Sequence, residues 1–266
     1  MRLNKIKNSD YYKRIRSIYH RSRSNFYTGL NRVFGDKKYQ KYIVIASART
    51  GSNLLRSYLN SHHEVISEGE IFGVLQGNSC ATVWNNFFSY KSKKIKCAGF
   101  KIFYAHPLDS KDRNVWNFMI DDKNIKIIHL VRENKLRTYV SGQIARKTNQ
   151  WTRKTNHKIS IEDKQIKIET EDLLEKLKEM KKFEDQTKIQ FSGHEFLEIS
   201  YEDLVSDKNK IMGQVFELLN IKNGPLQSSH KKQNSETLKD IILNYDEVKS
   251  ALQDSEFEYL LKMNSM

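Results

Sequence analysis

The sequence predicts an α/β fold in three layers, a central parallel sheet flanked by helices, and three observations carry that expectation. Apolar, β-branched runs alternate with helical stripes along the chain; two of those runs empty directly into a short polar stretch that opens a helix; and 266 residues with 38% apolar content suffice for one substantial core. In such a sheet, ligands gather at the carboxyl ends of the strands.

The elements follow in order. Residues 42–46 (YIVIA) read as a buried strand, 47–52 (SARTGS) as a tight loop, and Leu54, Leu55, Tyr58 and Leu59 as the apolar stripe of a helix. Residues 97–106 (CAGFKIFYAH) read as a second strand and 114–119 as a short helix, which the polar cluster 121–124 ends. Residues 126–132 (KIIHLVR) form a strand running into a helix marked by Leu136, Tyr139, Val140 and Ile144. A polar helix over 171–183, a strand over 195–200 (EFLEIS) and a helix carrying Ile211, Met212, Val215, Phe216 and Leu219 complete the pattern.

Composition narrows the function classes. Cys80 and Cys97 are the only thiols, too few for a disulfide framework and without metal-ligand spacing, so a reducing, cytoplasmic setting is expected. No apolar run approaches the roughly 20 residues that span a bilayer. The net charge of +14 is concentrated at the start: residues 1–41 hold twelve Lys or Arg against Asp10 and Asp36, interleaved with aromatic and aliphatic side chains. We therefore divide the chain into a basic segment, 1–41, and a single domain, 42–266. The basic segment either docks one face on that domain or touches an anionic membrane peripherally.

The loop 46–53 (ASARTGSN) stands where nucleotide-binding α/β folds keep their phosphate loop, which makes the expected fold P-loop-like. Ala46 and Gly51 take the two glycine positions of GxxxxGK[ST], but Ser52 replaces the lysine and Asn53 the magnesium-binding hydroxyl. That disfavours a nucleoside-triphosphate hydrolase. What remains is a flexible glycine, an arginine and a helix start, able to hold an anion without a metal; no metal is expected.

The stretch SARTGSNLLRSYLNSH, followed by Gly69-Glu70-Ile71-Phe72, resembles the 5′-phosphosulfate loop of sulfotransferases that use 3′-phosphoadenosine 5′-phosphosulfate (PAPS), closest to bacterial nodulation-type and trehalose-type carbohydrate sulfotransferases. The resemblance implies that Arg49, Thr50, Gly51, Ser52 and Asn53 bind the phosphosulfate. It implies too that Arg132 and Ser141, in HLVRENKLRTYVSGQIA, bind the 3′-phosphate, and that Lys232 closes over the nucleotide. Many members carry Thr or Ser where this chain has Asn53. The similarity covers residues 42 to about 262 and implies sulfuryl transfer to a carbohydrate or glycolipid acceptor, with no nucleic-acid partner.

In-line transfer needs a base for the acceptor hydroxyl. Glu70 is the first candidate, on the expectation of a partly buried carboxylate beside Ile71 and Phe72, with Arg49 neutralising charge on the leaving 5′-phosphate; Glu68, His62 and His106 compete for the role of base. Lys101 either lines the donor site or ends a strand, and Tyr201, in YEDL, reads as architectural. Trp151, in the basic stretch 146–158, is a candidate acceptor platform. Two other readings stand beside this one: a polyanion- or nucleic-acid-binding protein, resting on the basic segment, and a small-molecule kinase using the degenerate loop. The arrangement to look for is Arg49 and Arg132 sharing one cleft.

Overall fold

A computed structural model describes residues 34–151, 160–228 and 236–263. Most of the basic segment, Lys232, and residues 152–159 of the stretch after Trp151 lie outside the described residues. Five strands, β1 (Gln40–Ala46), β2 (Val65–Glu68), β3 (Cys97–Phe103), β4 (Lys126–Val131) and β5 (Phe196–Ser200), form one sheet in the order β2-β3-β1-β4-β5, every pairing parallel. The helices that matter for the site are α1 (Ser52–Asn60), α2 (Cys80–Phe87), α3 (Asn114–Asp121), α4 (Lys135–Thr148), α5 (Leu173–Gln190) and α6 (Lys208–Leu218). This is the α/β, three-layer arrangement the sequence predicts.

Strand alternation explains the layers. Tyr42, Val44 and Ala46 of β1 join a core with Leu55, Leu59, Met212, Val215 and Phe216 on one face, while Ile43 and Ile45 join Phe72, Phe100, Val115 and Met119 on the other. Both faces are covered, so β1 from Tyr42 on is a continuous apolar run and β4 is mainly apolar, with His129 inside it. A third cluster packs α4 and α5 against the C-terminal helices through Leu136, Val140, Leu173, Leu177, Leu238 and Val248. Gly99 permits the close approach of β3 to β1: a Cβ there would fall 2.2 Å from the Tyr42 carbonyl oxygen.

Some boundaries differ from the sequence expectation. The strand expected over 97–106 stops at Phe103, because residues 104–107 turn and are pinned by Arg113 Nη1 and Trp116 Nε1, which donate to the His106 carbonyl at 2.6 and 3.0 Å. The helix expected over 171–183 runs as Leu173–Gln190. The edge strand β2 and helix α2 are additions to the expected pattern. The N-terminal segment is not wholly separate, since its last residues belong to the domain: β1 begins at Gln40, Asp36 bridges to Lys91, and Lys41 pairs with Asp122 at 2.8 Å. No helix among the described residues is long and apolar enough to cross a membrane.

Because all strands run the same way, the segments after β1, β3, β4 and β5 emerge together at one edge of the sheet, and the site is assembled there.

Candidate active site

The first corner is the loop between β1 and α1. Arg49 (φ 69°) and Gly51 (φ 85°) are both left-handed, so the chain reverses within a few residues and enters α1 with no side chain capping its start. An uncapped helix start offers its first amides to an anion, with the macrodipole in support. The Thr50 hydroxyl is turned inward, donating to the Ser47 carbonyl at 2.8 Å, so any contact from Thr50 to a ligand falls to its backbone. Ser52 and Asn53 face Lys101 of β3, whose ammonium is 2.8 Å from Asn53 Oδ1 and 3.5 Å from Ser52 Oγ.

The second corner follows β4. Asn134 caps α4 by accepting from the Arg137 amide at 2.9 Å, which sets the helix start beside Arg132. Arg132 Nη1 donates to the Arg49 carbonyl at 3.0 Å, and Arg49 Nε donates to Ser141 Oγ at 2.9 Å. Residues of two separate motifs thus meet directly. One expectation changes: the Arg49 guanidinium reaches Ser141 and the Trp151 carbonyl (2.5 Å) rather than the Ser52–Asn53 end of the loop. The cation at that end is Lys101, which extends across from the neighbouring strand.

Tyr201 and Glu202, just after β5, bracket Arg132. The Tyr201 ring lies 4.7 Å from the Arg132 guanidinium carbon and packs so closely on Gly51 that a Cβ there would be 2.4 Å from Tyr201 Cδ2. Glu202 accepts from the Glu133 and Asn134 amides at 3.0 and 3.4 Å and stands 3.7 Å from Arg132 Nε. That nitrogen is buried and makes no hydrogen bond. Tyr201 is therefore part of the site as well as of the architecture. Its one signal in the sequence is the position of YEDL at the end of a strand, capped by Ser200, which accepts from the Asp203 amide at 2.9 Å.

Glu70 follows β2. Its carboxylate pairs with Lys101 at 2.8 Å and lies 3.8 Å from His106 Nε2, with the side chain 40% exposed. The apolar surrounding expected from Ile71 and Phe72 is absent, because Phe72 is buried in the core on the far side. His106, a competing candidate beside Glu70, is oriented by the end of β3. Its Nδ1 accepts from the Phe103 amide at 3.2 Å, which a protonated Nδ1 could not do. In the neutral ring the proton therefore sits on Nε2, facing Glu70, and Nε2 has no lone pair to offer a substrate. Burial, before any effect of the neighbouring charges, pushes His106 below the ordinary histidine range and keeps the ring neutral. Glu68 pairs with Arg56 at 3.8 Å, and His62 is buried with its Nδ1 accepting from the Glu64 amide.

These corners enclose a cavity of about 690 Å³. Arg49, Gly51, Ser52, Asn53, Glu70, Arg132 and Ser141 all line it; the Thr50 side chain does not, and Lys232 lies outside the described residues. Five cationic side chains, Arg49, Lys101, Arg132, Arg137 and Arg146, face two carboxylates, Glu70 and Glu179. Desolvation lowers both Arg49 and Arg132 from the ordinary arginine value, and for Arg49 the like charge of Arg132 adds to it. Gathering like charges in a half-buried cleft is unfavourable unless an anion compensates them. Among the described residues the cleft thus carries more cationic than anionic side chains, with Lys101 paired to Glu70 and Arg132 facing Glu202.

Fold and site together define a three-layer α/β protein with a cleft rich in cationic side chains at the carboxyl edge of its sheet. No family model matches the chain, and no curated protein does. Solved structures show a distant likeness. A sulfotransferase from Alicyclobacillus acidocaldarius is similar at 10% identity and TM-score 0.46, over 80% of this chain and 93% of that one. The sulfotransferase domain from the curacin biosynthetic pathway is similar at 14% and 0.43, over 75% and 81%. A mouse sulfotransferase complexed with PAP is similar at 11% and 0.43, over 89% and 93%. Likeness at this level concerns the overall path of the chain; the reading of the site rests on its own geometry.

Proposed function

We propose that this chain is a PAPS-dependent sulfotransferase that moves a sulfuryl group onto an acceptor hydroxyl. The observation that carries the reading is the contact between the two corners: Arg49 Nε to Ser141 Oγ at 2.9 Å and Arg132 Nη1 to the Arg49 carbonyl at 3.0 Å. Two anion-binding elements distant in sequence share one cleft, which suits a nucleotide phosphorylated at both ends.

In this reading the start of α1, with Gly51, Ser52 and Asn53, holds the 5′-phosphosulfate, and Arg132, Ser141 and Arg49 hold the 3′-phosphate. Glu70 takes the proton of the acceptor hydroxyl as the new O–S bond forms and the S–O bond to the 5′-phosphate breaks. Lys101, 2.8 Å from Glu70 and from Asn53, offsets the negative charge left on that phosphate oxygen. His106 Nε2 stands 3.8 Å from Glu70, a neutral neighbour that leaves the carboxylate free to act as the base.

The test is a thermal-shift comparison of adenosine 3′,5′-bisphosphate (PAP), AMP and ATP, repeated on Arg132→Ala and Ser141→Ala. A stabilisation selective for PAP and lost in both variants is expected. Equal responses to all three nucleotides sink the proposal, and magnesium-dependent ATP turnover would favour a kinase instead.

A further inference from the structure

The cavity has a second wall, different in character from the phosphate-binding corners. It is made by Phe103 at the end of β3, by Tyr104 and Leu108 just beyond it, and by Met180 and Phe183 of α5. The Tyr104 and Phe183 rings lie nearly parallel, 11° apart with centroids 5.4 Å from each other. Leu108 is 67% exposed and Phe183 38% exposed, large apolar side chains left facing the cleft. The wall adjoins the reacting end, because the Phe103 ring packs against His106 with centroids 5.0 Å apart, and His106 faces Glu70.

The hydroxyl of the aromatic pair, Tyr104 Oη, is withdrawn from the cleft. Tyr104 Oη lies 2.7 Å from His129 Nε2, and His129 Nδ1 lies 2.9 Å from Glu198 Oε2, whose other oxygen pairs with Lys188 at 3.0 Å. Nδ1–H donates to the carboxylate, so Nε2 accepts and the Tyr104 hydroxyl is the donor, committed inward. Burial drives Tyr104 well above the ordinary phenol range, which keeps that proton in place. The ring is therefore fixed in plane, and it shows the cleft carbon rather than oxygen.

A sugar lying on the side chains of Phe103, Tyr104, Leu108, Met180 and Phe183 would lose water from several hydroxyls and gain little from them in return, a net desolvation cost. A flat apolar ring would cover the exposed Phe183 and Leu108 and stack on the aromatic pair. We propose that the acceptor is a hydroxyl carried on an aromatic body, seated against Tyr104, Phe183, Met180 and Leu108, in place of the carbohydrate the sequence resemblance implies. The proposal rests on the sulfotransferase reading for its reaction but not for its binding.

The experiment separates the two. Binding of 2-naphthol is followed by its fluorescence anisotropy in the presence of PAP, and sulfuryl transfer from PAPS is measured for 2-naphthol, octyl glucoside and free trehalose. Expected are saturable 2-naphthol binding, weakened roughly tenfold to a hundredfold in Phe183→Ala and Leu108→Ala, with PAP affinity unchanged, and a preference for 2-naphthol as acceptor. Both positions are exposed enough for the variants to fold. Trehalose transferred as well as 2-naphthol, or 2-naphthol binding unaltered by Phe183→Ala, overturns the acceptor class. Wall-dependent binding with no transfer to any acceptor keeps the aromatic site and removes the sulfuryl chemistry instead.

Discussion

Gly51→Ala tests the joint between the two anion-binding corners. At φ 85° an alanine is strained, by about 1–2 kcal/mol for a left-handed L-residue. The new Cβ would also stand 2.4 Å from Tyr201 Cδ2 and 2.8 Å from Cε2, closer than carbon atoms approach. The ring has little room to retreat, since the Arg132 guanidinium lies 4.7 Å from its centroid and Arg132 is itself tied to the Arg49 carbonyl. Overpacking of this kind costs about 1–3 kcal/mol, so the expected loss of stability is about 2–5 kcal/mol. In a Tyr201→Ala background the Cβ meets no ring, and the same substitution should cost only the backbone strain, a coupling of about 1 kcal/mol or more. Urea denaturation of the four proteins measures it. PAP affinity should fall more than AMP affinity in Gly51→Ala, because the displaced ring pushes on Arg132 and so on the 3′-phosphate. An identical penalty in both backgrounds would refute the idea that Tyr201 links the loop to Arg132.

Three further outcomes are expected. Glu70→Gln should keep PAP binding and slow turnover by roughly a hundredfold; near-normal turnover, read from a single-turnover transfer assay, removes Glu70 from the chemistry. Lys101→Met should lower turnover by about a hundredfold or more while leaving PAP-over-AMP selectivity intact, whereas a collapse of that selectivity would place Lys101 at the wrong end of the nucleotide. His129 is fully buried, and desolvation pulls its pKa below the ordinary histidine value. The folded protein then keeps the ring neutral while the unfolded chain takes up a proton near pH ~6.5. The associated stability is complete above that pH and is lost as pH falls toward the folded-state pKa, about 1.4 kcal/mol for each unit of depression. An imidazole titration by NMR checks the sign, and a value above ~6.5 would contradict it.

Elements whose signal is local are legible in the linear chain. β1 and β4 are dominated by apolar residues because both faces of a central strand are buried, and each runs on into a polar corner and a helix. The residues of those corners, Arg49 to Asn53 and Arg132 with Ser141, are therefore legible as candidates in the linear chain. Short edge elements are not: β2 spans four residues and its burial alternates, leaving no run long enough to stand out. The tertiary structure decided everything that depends on proximity across the sheet. It turned the Arg49 guanidinium toward Ser141, brought Lys101 from β3 to Asn53 and Glu70, set Tyr201 between Gly51 and Arg132, and buried the Tyr104 hydroxyl on His129. Backbone propensity and hydrophobic periodicity act over a few residues, so a linear pattern records them. The direction of a side chain and the partner it meets depend on strand order and register, which bring residues dozens of positions apart to one edge of the sheet and leave no periodic trace in the chain.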